Sequence, residues 1–500
     1  MQPRIPLRRI LFLRPFRPPN SPRPFTRNTL ARPNLPYLSN PSQRPTARFI
    51  SIETKQWIKD EVKKGMKYTA YIYTFGALAL LMAFGVHQEY LERTYYPPPE
   101  WRWHTRYQWR MVRLNEDEEN PNRAFVDYAN TGSIYKLIIS RLEDTAHEGA
   151  GLLEQGEGGI LVEGIGKTGF DISNKSEEWR WGYYEALMGA ARAAEHLDDC
   201  LLDRERRLVF PKSVVPGPSN PNPKPIPPGA AIPSREEDCE KAFEGPEIYY
   251  MRILTTQGFT EKQKVDAALA YGAWLDFKGT PNTALEMYKW AMDIATSSSP
   301  STKPVVDTAT GVLNPNAGPP SANVLSVATA LAVHHAVSSD LSTALPIFVS
   351  VLRSRRSLVD ATSVAEHDTT PSDTSSGMAH IASVVKTAFV PPAYPPLPPD
   401  GTAPPLRTPK ELCEEAGVMT NIGEILYASK SSKTSKEDGL AWTREAVDIA
   451  EEQLRTKKMS KDGKKICKQC LEVAIGNWET MVAKLAREEK EAKAPGGKVG

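Results

Sequence analysis

The chain has 500 residues with 40% apolar content, which is enough for one large or two ordinary globular domains. Its formal net charge is +2, so its overall charge excludes a chain that binds nucleic acid as a polycation. Five cysteines in a chain of this length exclude a scaffold built on disulfides.

Residues 1–50 form a basic segment rich in Arg, Pro, Ser and Thr, and the first carboxylate of the chain belongs to Glu53. Such a segment has too few large apolar side chains to form a core, and we expect it to be disordered. An Arg-rich, acid-poor N-terminus is typical of a mitochondrial transit peptide, here with cleavage before Ser51. The alternative is a basic tail that binds phosphate groups, but the apolar segment that follows favours the transit peptide.

Residues 68–86 are nineteen consecutive uncharged residues. As a helix they cover about 28 Å, close to the hydrocarbon thickness of a bilayer. Tyr68, Tyr71 and Tyr73 lie at one end, where aromatic rings prefer the membrane interface. We therefore predict one transmembrane helix, with a buried core helix as the alternative.

Lysines precede this predicted span and carboxylates follow it. The lysines are Lys59, Lys63, Lys64 and Lys67, and the carboxylates are Glu89 and Glu92. Lys and Arg stay on the side from which a helix inserts. The flank 51–67 is therefore predicted in the matrix, the span in the mitochondrial inner membrane, and the domain after it in the intermembrane space. Four arginines after the span weaken this count, and the choice between inner and outer membrane stays open.

The segment 87–120 carries arginine and tryptophan at helical spacing. One helical face holds Arg102, Arg106, Arg110 and Arg113, and a second face holds Trp101 and Trp109. Two interpretations are open. The helix lies on an anionic membrane surface, or it packs on the soluble domain with its tryptophans in the core.

Three pairs of predicted helices repeat one pattern, in which a small residue on the first helix precedes an Ala-x-x-x-aromatic stretch on the second. The residues are Ala268, Tyr271, Gly272 and Leu275, then Ala284, Tyr288 and Ala291; Ala328, Leu331, Ala332 and His335, then Ala344, Phe348 and Val351; and Met419, Ile422, Gly423 and Leu426, then Gly439, Thr443 and Ala446. The small residues of the two helices are twelve positions apart in the first two pairs and sixteen in the third. In the third pair Thr443 also replaces the aromatic residue.

This pattern resembles the tetratricopeptide repeat (TPR), in which a small side chain on one helix lets a large one on its partner approach closely. Successive TPR units lie about 34 residues apart, whereas Ala284 and Ala344 are sixty apart. Pro- and Ser-rich inserts account for the excess. The alternative is a generic helical bundle.

The predicted fold is all-α: a single transmembrane helix followed by a TPR-like helical-repeat domain (an α-solenoid) with Pro/Ser-rich inserted loops. The predicted boundaries are 1–50 for the presequence, 51–67 for the matrix flank, 68–86 for the transmembrane helix, 87–120 for the juxtamembrane Trp/Arg segment, 121–210 for the N-terminal helical part, 211–240 for a Pro-rich loop, 241–353 for TPR-like repeats, 354–409 for a disordered Ser/Pro-rich insert, 410–490 for C-terminal TPR-like helices and 491–500 for the tail. Residues 158–172 are the main candidate for a few strand residues or an irregular loop.

Residues 164–169 spell the Gly-x-Gly-x-x-Gly pattern of dinucleotide-binding proteins. That fingerprint needs a strand before the glycines and a helix that starts on them, and residues 170–174 are a poor helix start. A phosphate loop is excluded because Leu161 stands where its first glycine is required. We predict no catalytic residue, no cofactor and no enzyme activity.

Cys467 and Cys470 form a single Cys-x-x-Cys without the second pair of ligands that structural zinc needs. The neighbouring His334 and His335 diverge by about 100° on a helix, so we predict no metal site. A disulfide between Cys467 and Cys470, a disulfide between Cys200 and Cys239, and unpaired cysteines all stay open.

The transit segment, the span and the TPR-like domain together resemble the repeat-bearing adaptor subunit of the fungal i-AAA protease supercomplex. This resemblance rests on layout and repeats. It implies an adaptor whose partners are subunits of the AAA protease complex and unfolded membrane proteins. The alternative is an assembly or structural factor for another inner-membrane complex. Neither interpretation includes a nucleic-acid partner.

Overall fold

The computed structural model describes residues 51–117, 125–154, 161–162, 166–167, 169–297, 304–360, 394–429, 433–455 and 459–493. Within these ranges the chain is mostly helical, with twelve α-helices and seven short strands. The chain divides into two compact units, Met1–Met82 and Ala83–Gly500. The predicted presequence 1–50 lies outside the described residues.

The order of elements along the chain is as follows. The helices are α1 (Ile52–Tyr95), α2 (Trp103–Glu116), α3 (Tyr128–Glu143), α4 (Glu177–Leu197), α5 (Pro246–Thr255), α6 (Glu261–Phe277), α7 (Pro281–Ser297), α8 (Ala322–Val337), α9 (Leu341–Arg356), α10 (Pro409–Ala428), α11 (Lys433–Arg455) and α12 (Lys461–Lys493). The strands are β1 (Leu153–Glu154), β2 (Leu161–Val162), β3 (Gly166–Lys167), β4 (Phe170–Asp171), β5 (Cys200–Asp203), β6 (Val209–Pro211) and β7 (Cys239–Lys241).

Helix α1 is continuous over 44 residues, because no proline interrupts it before Pro97. The predicted flank 51–67 and the predicted span 68–86 are therefore parts of one helix that ends at Tyr95. Among the described residues, α1 is the one helix long and apolar enough to cross a membrane, and none of its apolar window is buried.

The tryptophans of the predicted juxtamembrane segment are core residues. Trp101 and Trp109 are 2% and 1% exposed, and their rings meet edge-on with centroids 5.4 Å apart. The indole N–H of Trp109 donates a hydrogen bond to the carbonyl of Tyr95 at 3.0 Å. Of the two interpretations of this segment, the structure has the helix packed in the core.

The arginines of α2 contact carboxylates. Arg106 and Arg110 both pair with Glu92 near the end of α1, and the Arg110 side chain is 1% exposed. Arg113 pairs with Glu185 of α4 at 2.6 Å. A buried guanidinium requires such partners. These arginines therefore join α2 to its neighbouring helices.

Helices α6 and α7 form a pair that folds back on itself at Gly279, where φ is +76°. Helix α6 begins with a capping box, in which Thr260 and Gln263 cap each other's backbone amides. Gly272 faces Tyr288, and a Cβ at Gly272 would lie 3.0 Å from the tyrosine ring. Close approach at the predicted small position thus holds this pair together.

The other two predicted pairs are also pairs of packed helices. Helices α8 and α9 pack on each other, with Ser321 and Asp340 capping their N-termini. In the pair α10 and α11, Gly423 lies against Gly439 and Thr443. One core cluster of buried apolar residues extends from α2 through α11.

Three short strands interrupt the helices between α4 and α5. Strand β5 lies between β6 and β7 in an antiparallel sheet, with Leu201 opposite both Phe210 and Lys241. The prediction of an all-α fold with a loop at 211–240 missed this sheet, because strands of three or four residues are too short for alternation to show. Strands β1 and β4, and β2 and β3, form two further antiparallel pairs.

The described residues contain a disulfide that neither predicted pairing includes. Cys467 of α12 is bonded to Cys413 of α10, with the Cα atoms 5.1 Å apart, and Cys470 is free. Cys200 and Cys239 are also free. The strand register sets Cys200 three residues away from the position opposite Cys239, which is too far for a disulfide.

Candidate protein-binding surface

Helices α6 and α8 lie side by side and run in the same direction. At their N-terminal ends Asn323 Nδ2 donates a hydrogen bond to Glu261 Oε1 at 2.8 Å. At their C-terminal ends His334 Nδ1 lies 2.8 Å from Asp276 Oδ1. Contacts at matching ends require parallel axes, so the two helices are joined at both ends.

An exposed apolar face lies beside the C-terminal contact. It consists of Ala273 and Phe277 on α6 and of Val333 and Val337 on α8. Within each helix the two residues are one turn apart and therefore share a face. At about 100° per residue and with parallel axes, the hydrogen-bonded side chains turn all four of these residues to the same side. Phe277 is 85% exposed and Val337 is 69% exposed. We call these four residues the apolar face.

Buried polar groups fix the helices behind the apolar face. The Tyr288 hydroxyl of α7 donates a hydrogen bond to Asp276 Oδ2 at 3.0 Å, and its ring lies 5.2 Å from that of His334. Burial raises the pKa of Tyr288, and the Asp276 carboxylate raises it further. The hydroxyl therefore stays protonated and acts as a donor that positions α6 and α8.

The apolar face belongs to a longer row of helices. Helices α4, α6, α8 and α10 contact one another in that order. The row continues into α12, where Asn477 donates a hydrogen bond to Glu424 of α10 at 3.1 Å. We call α4, α6, α8 and α10 the first helices, because each is followed by a second helix that packs on it.

A buried ionic cluster joins α9 to α10. Arg355 is 4% exposed and pairs with Glu411 and Glu414, while Arg356 pairs with Glu415 at 2.8 Å. Burial raises the pKa of Glu411 to about 7, although the charge of Arg355 acts in the opposite direction. These arginines and glutamates form ion pairs with each other, and we assign the cluster a role in holding the helix pairs together.

The described part of the Gly-x-Gly-x-x-Gly motif does not have the structure that nucleotide binding requires. Gly166 belongs to strand β3, and the next described helix begins at Glu177, so no helix starts at Gly166 or Gly169. Residues 163–165 and 168 lie outside the described residues. The described ranges contain no group of three or more His, Cys, Asp or Glu residues placed to hold a metal ion.

Sequence analysis assigned no site residues, and it missed the apolar face. The sequence does contain a sign of this face. Phe277 and Val337 are large apolar residues at the ends of two helices that the repeat pattern defines, yet neither occupies one of the pattern's buried positions. Which side of a helix faces solvent depends on its neighbours. The hydrogen bond between Asp276 and His334, which are 58 positions apart, was therefore required to place the face.

Comparisons of the chain with protein-family models, with curated proteins and with solved structures returned no match.

Proposed function

We propose that this chain is a membrane-anchored, TPR-like adaptor that binds other proteins through the apolar face. The observation that carries the proposal is the exposure of Phe277 and Val337 on two helices that are joined by a hydrogen bond between Asp276 and the buried His334. An apolar patch kept in water by a rigid scaffold is typical of a protein-binding surface. Stacked helix pairs bind extended or helical segments of partners without any chemical step.

The anchor in this proposal is the apolar part of α1, which crosses the mitochondrial inner membrane. Its support is the absence of burial along the apolar window. A tethered domain meets membrane proteins at a raised effective concentration, which suits a scaffold of modest affinity.

The proposed compartment of the helical domain is the intermembrane space. The Cys413–Cys467 disulfide supports a compartment that permits oxidation. The flank 51–67, which we propose lies in the matrix, carries no cysteine. The lysines before the span and the carboxylates after it support the same orientation.

The proposed partners are the subunits of an i-AAA protease complex and unfolded membrane proteins delivered to it. Support comes from the order of elements, in which a single spanning helix precedes paired helices. Exposed apolar segments of an unfolded chain are complementary to the apolar face.

The test replaces Phe277 and Val337 with Asp in the full-length protein and compares co-purification from detergent-solubilised organelles. The wild type should recover the AAA protease, and the double variant should lose it. Burying two carboxylates against an apolar partner costs free energy, because the charges lose their hydration. The control is Phe125→Asp, since Phe125 is 80% exposed and lies outside the first helices.

Two outcomes would contradict the proposal. Equal recovery of the protease with both variants would remove the apolar face as the binding surface. Stoichiometric recovery of a respiratory or translocase complex in place of the protease would favour the assembly factor.

A further inference from the structure

Residues 394–408 cross the surface as an extended segment, which we call the strap. Its sequence is rich in proline, which favours extended backbone and removes backbone donors. No residue of the strap is fully buried. The strap is therefore held by a few specific contacts and does not belong to the apolar core.

One contact is with the N-terminus of α6. The backbone N–H of Lys262 donates a hydrogen bond to Asp400 Oδ1 at 3.0 Å. The first N–H groups of a helix have no partner inside it, and a carboxylate there is also favoured by the helix dipole. Asp400 thus supplies a cap to α6 from a distant part of the chain.

The second contact is a clamp on the strap backbone at the start of α8. Asn323 is 2% exposed, its backbone N–H donates to the carbonyl of Gly401 at 3.1 Å, and its Nδ2 donates to the carbonyl of Asp400 at 2.9 Å. The N–H of Ala322 donates to the carbonyl of Ala403 at 3.1 Å. All three of these bonds end on backbone carbonyls, so the clamp recognises the path of the strap backbone more than particular side chains.

At Gly401 the backbone conformation and the neighbouring Asn323 leave no room for a side chain. The φ of Gly401 is +72°, and a Cβ there would overlap the side-chain oxygen of Asn323. An Asp-Gly step therefore fits the clamp, and the flanking positions tolerate proline.

The ends of the strap lie at opposite ends of the row of first helices. Burial raises the pKa of Tyr394, and the nearby carboxylate of Glu185 on α4 raises it further. At the other end Arg407 pairs with Glu415 of α10 at 3.0 Å. Between them, Pro404 to Leu406 line a groove of about 660 Å³ beside α9.

We propose that the N-terminal ends of α6 and α8 form a binding site for extended, proline-flanked Asp-Gly segments of partner proteins, a site that the strap occupies in cis. A partner segment with the same backbone makes the same hydrogen bonds and displaces the strap. This site is separate from the apolar face, so it stands or falls independently of the function proposed above.

The test uses the full-length protein in detergent and a fluorescent peptide with the sequence of residues 394–408. Asp400→Ala removes the cap and loosens the strap, so this variant should bind the peptide about tenfold more tightly than the wild type does. A peptide in which its own Asp is replaced by Ala should lose this gain. Thr402→Ala is the matched control, because Thr402 is exposed in the same strap, and this variant should bind as the wild type does.

Equal peptide binding by the wild type and by Asp400→Ala would overturn the proposal and make the strap a fixed structural element. Gly401→Ala loosens the strap by a second route and should reproduce the gain. If either variant fails to fold, hydrogen exchange of the wild type decides. Amides of Lys262, Ala322 and Asn323 that exchange as fast as the first-turn amides of helices without such a contact support a displaceable strap, and exchange as slow as in the middle of α6 and α8 overturns it.

Discussion

Single glycines set how closely helices approach each other in this protein. Gly189 of α4 lies against the ring of Tyr135 of α3, which is fully buried, and a Cβ at Gly189 would overlap that ring. The Tyr135 hydroxyl is itself fixed by a hydrogen bond to Glu116 at 2.7 Å. The ring has no room to move away, so the contact depends on the missing side chain.

Gly189→Ala should lower the free energy of unfolding by about 1–3 kcal/mol, because the added methyl group overpacks the α3–α4 contact. The control is Gly476→Ala in α12, where a Cβ meets nothing within 4 Å. That substitution should raise stability by about 0.5–1 kcal/mol, since Gly is a poor helix former. Chemical unfolding followed by circular dichroism measures both, and a stabilised Gly189→Ala variant would contradict the close contact.

At this scale, local spacing predicted some contacts and missed others. The twelve-residue spacing identified Gly272 and Ala284 as buried, and both are. It also marked Thr443 as a departure, and the structure explains it: Gly423 and Gly439 bring α10 and α11 so close that no aromatic ring is required. The Gly189–Tyr135 contact left no signal, because 54 positions separate the two residues and no repeat relates them.

At the scale of elements, α12 is joined to α10 by a covalent bond as well as by packing. It packs on α10 and α11, but much of its surface is polar and exposed. Few of its side chains are buried, and most of those are small. The Cys413–Cys467 disulfide closes a loop with a sequence separation of 54 residues. Such a closure removes conformational freedom from the unfolded chain.

Cys467→Ser should lower the unfolding free energy by about 3 kcal/mol and speed amide exchange along α12. Cys470→Ser is the control, because Cys470 is free and lies one turn away on the same helix. It should leave both quantities close to those of the wild type, including their response to a reductant. Identical behaviour of the two variants would show that the bond contributes nothing to holding α12.

Sequence reasoning identified most helices and failed where partners are distant. Residues 410–490 were predicted as helical, and α10, α11 and α12 lie between Pro409 and Lys493. The partner of Cys467 was missed because motif spacing reports only neighbours along the chain. The strap was assigned to a disordered insert, since composition alone does not show that Asp400 meets the first turn of α6.

At the scale of the whole molecule, α1 is the one described helix long and apolar enough to cross a membrane. Leu80 and Leu81 of α1 are 73% and 67% exposed, and water is an unfavourable environment for so many apolar side chains. No other described helix has this length and composition. A lipid bilayer accommodates such a helix, because its side chains are apolar and its backbone groups are already hydrogen-bonded to one another.

Leu80→Arg combined with Leu81→Arg should release the protein from membranes, because each Arg near the bilayer centre costs about 3 kcal/mol. Carbonate extraction of isolated organelles measures this, with the wild type in the pellet and the double variant in the supernatant. Ile232→Arg is the control, since Ile232 is 71% exposed on a loop and should leave the protein in the pellet. A double variant that stays in the pellet would contradict a membrane span at α1.

The linkage between Cys413 and Cys467 also makes the C-terminal part of the molecule tolerant of proteolysis. A protease that cuts once anywhere between these positions produces two polypeptides that remain one particle and separate only after a thiol is added. The last helix therefore stays with the rest of the protein after the chain itself has been broken.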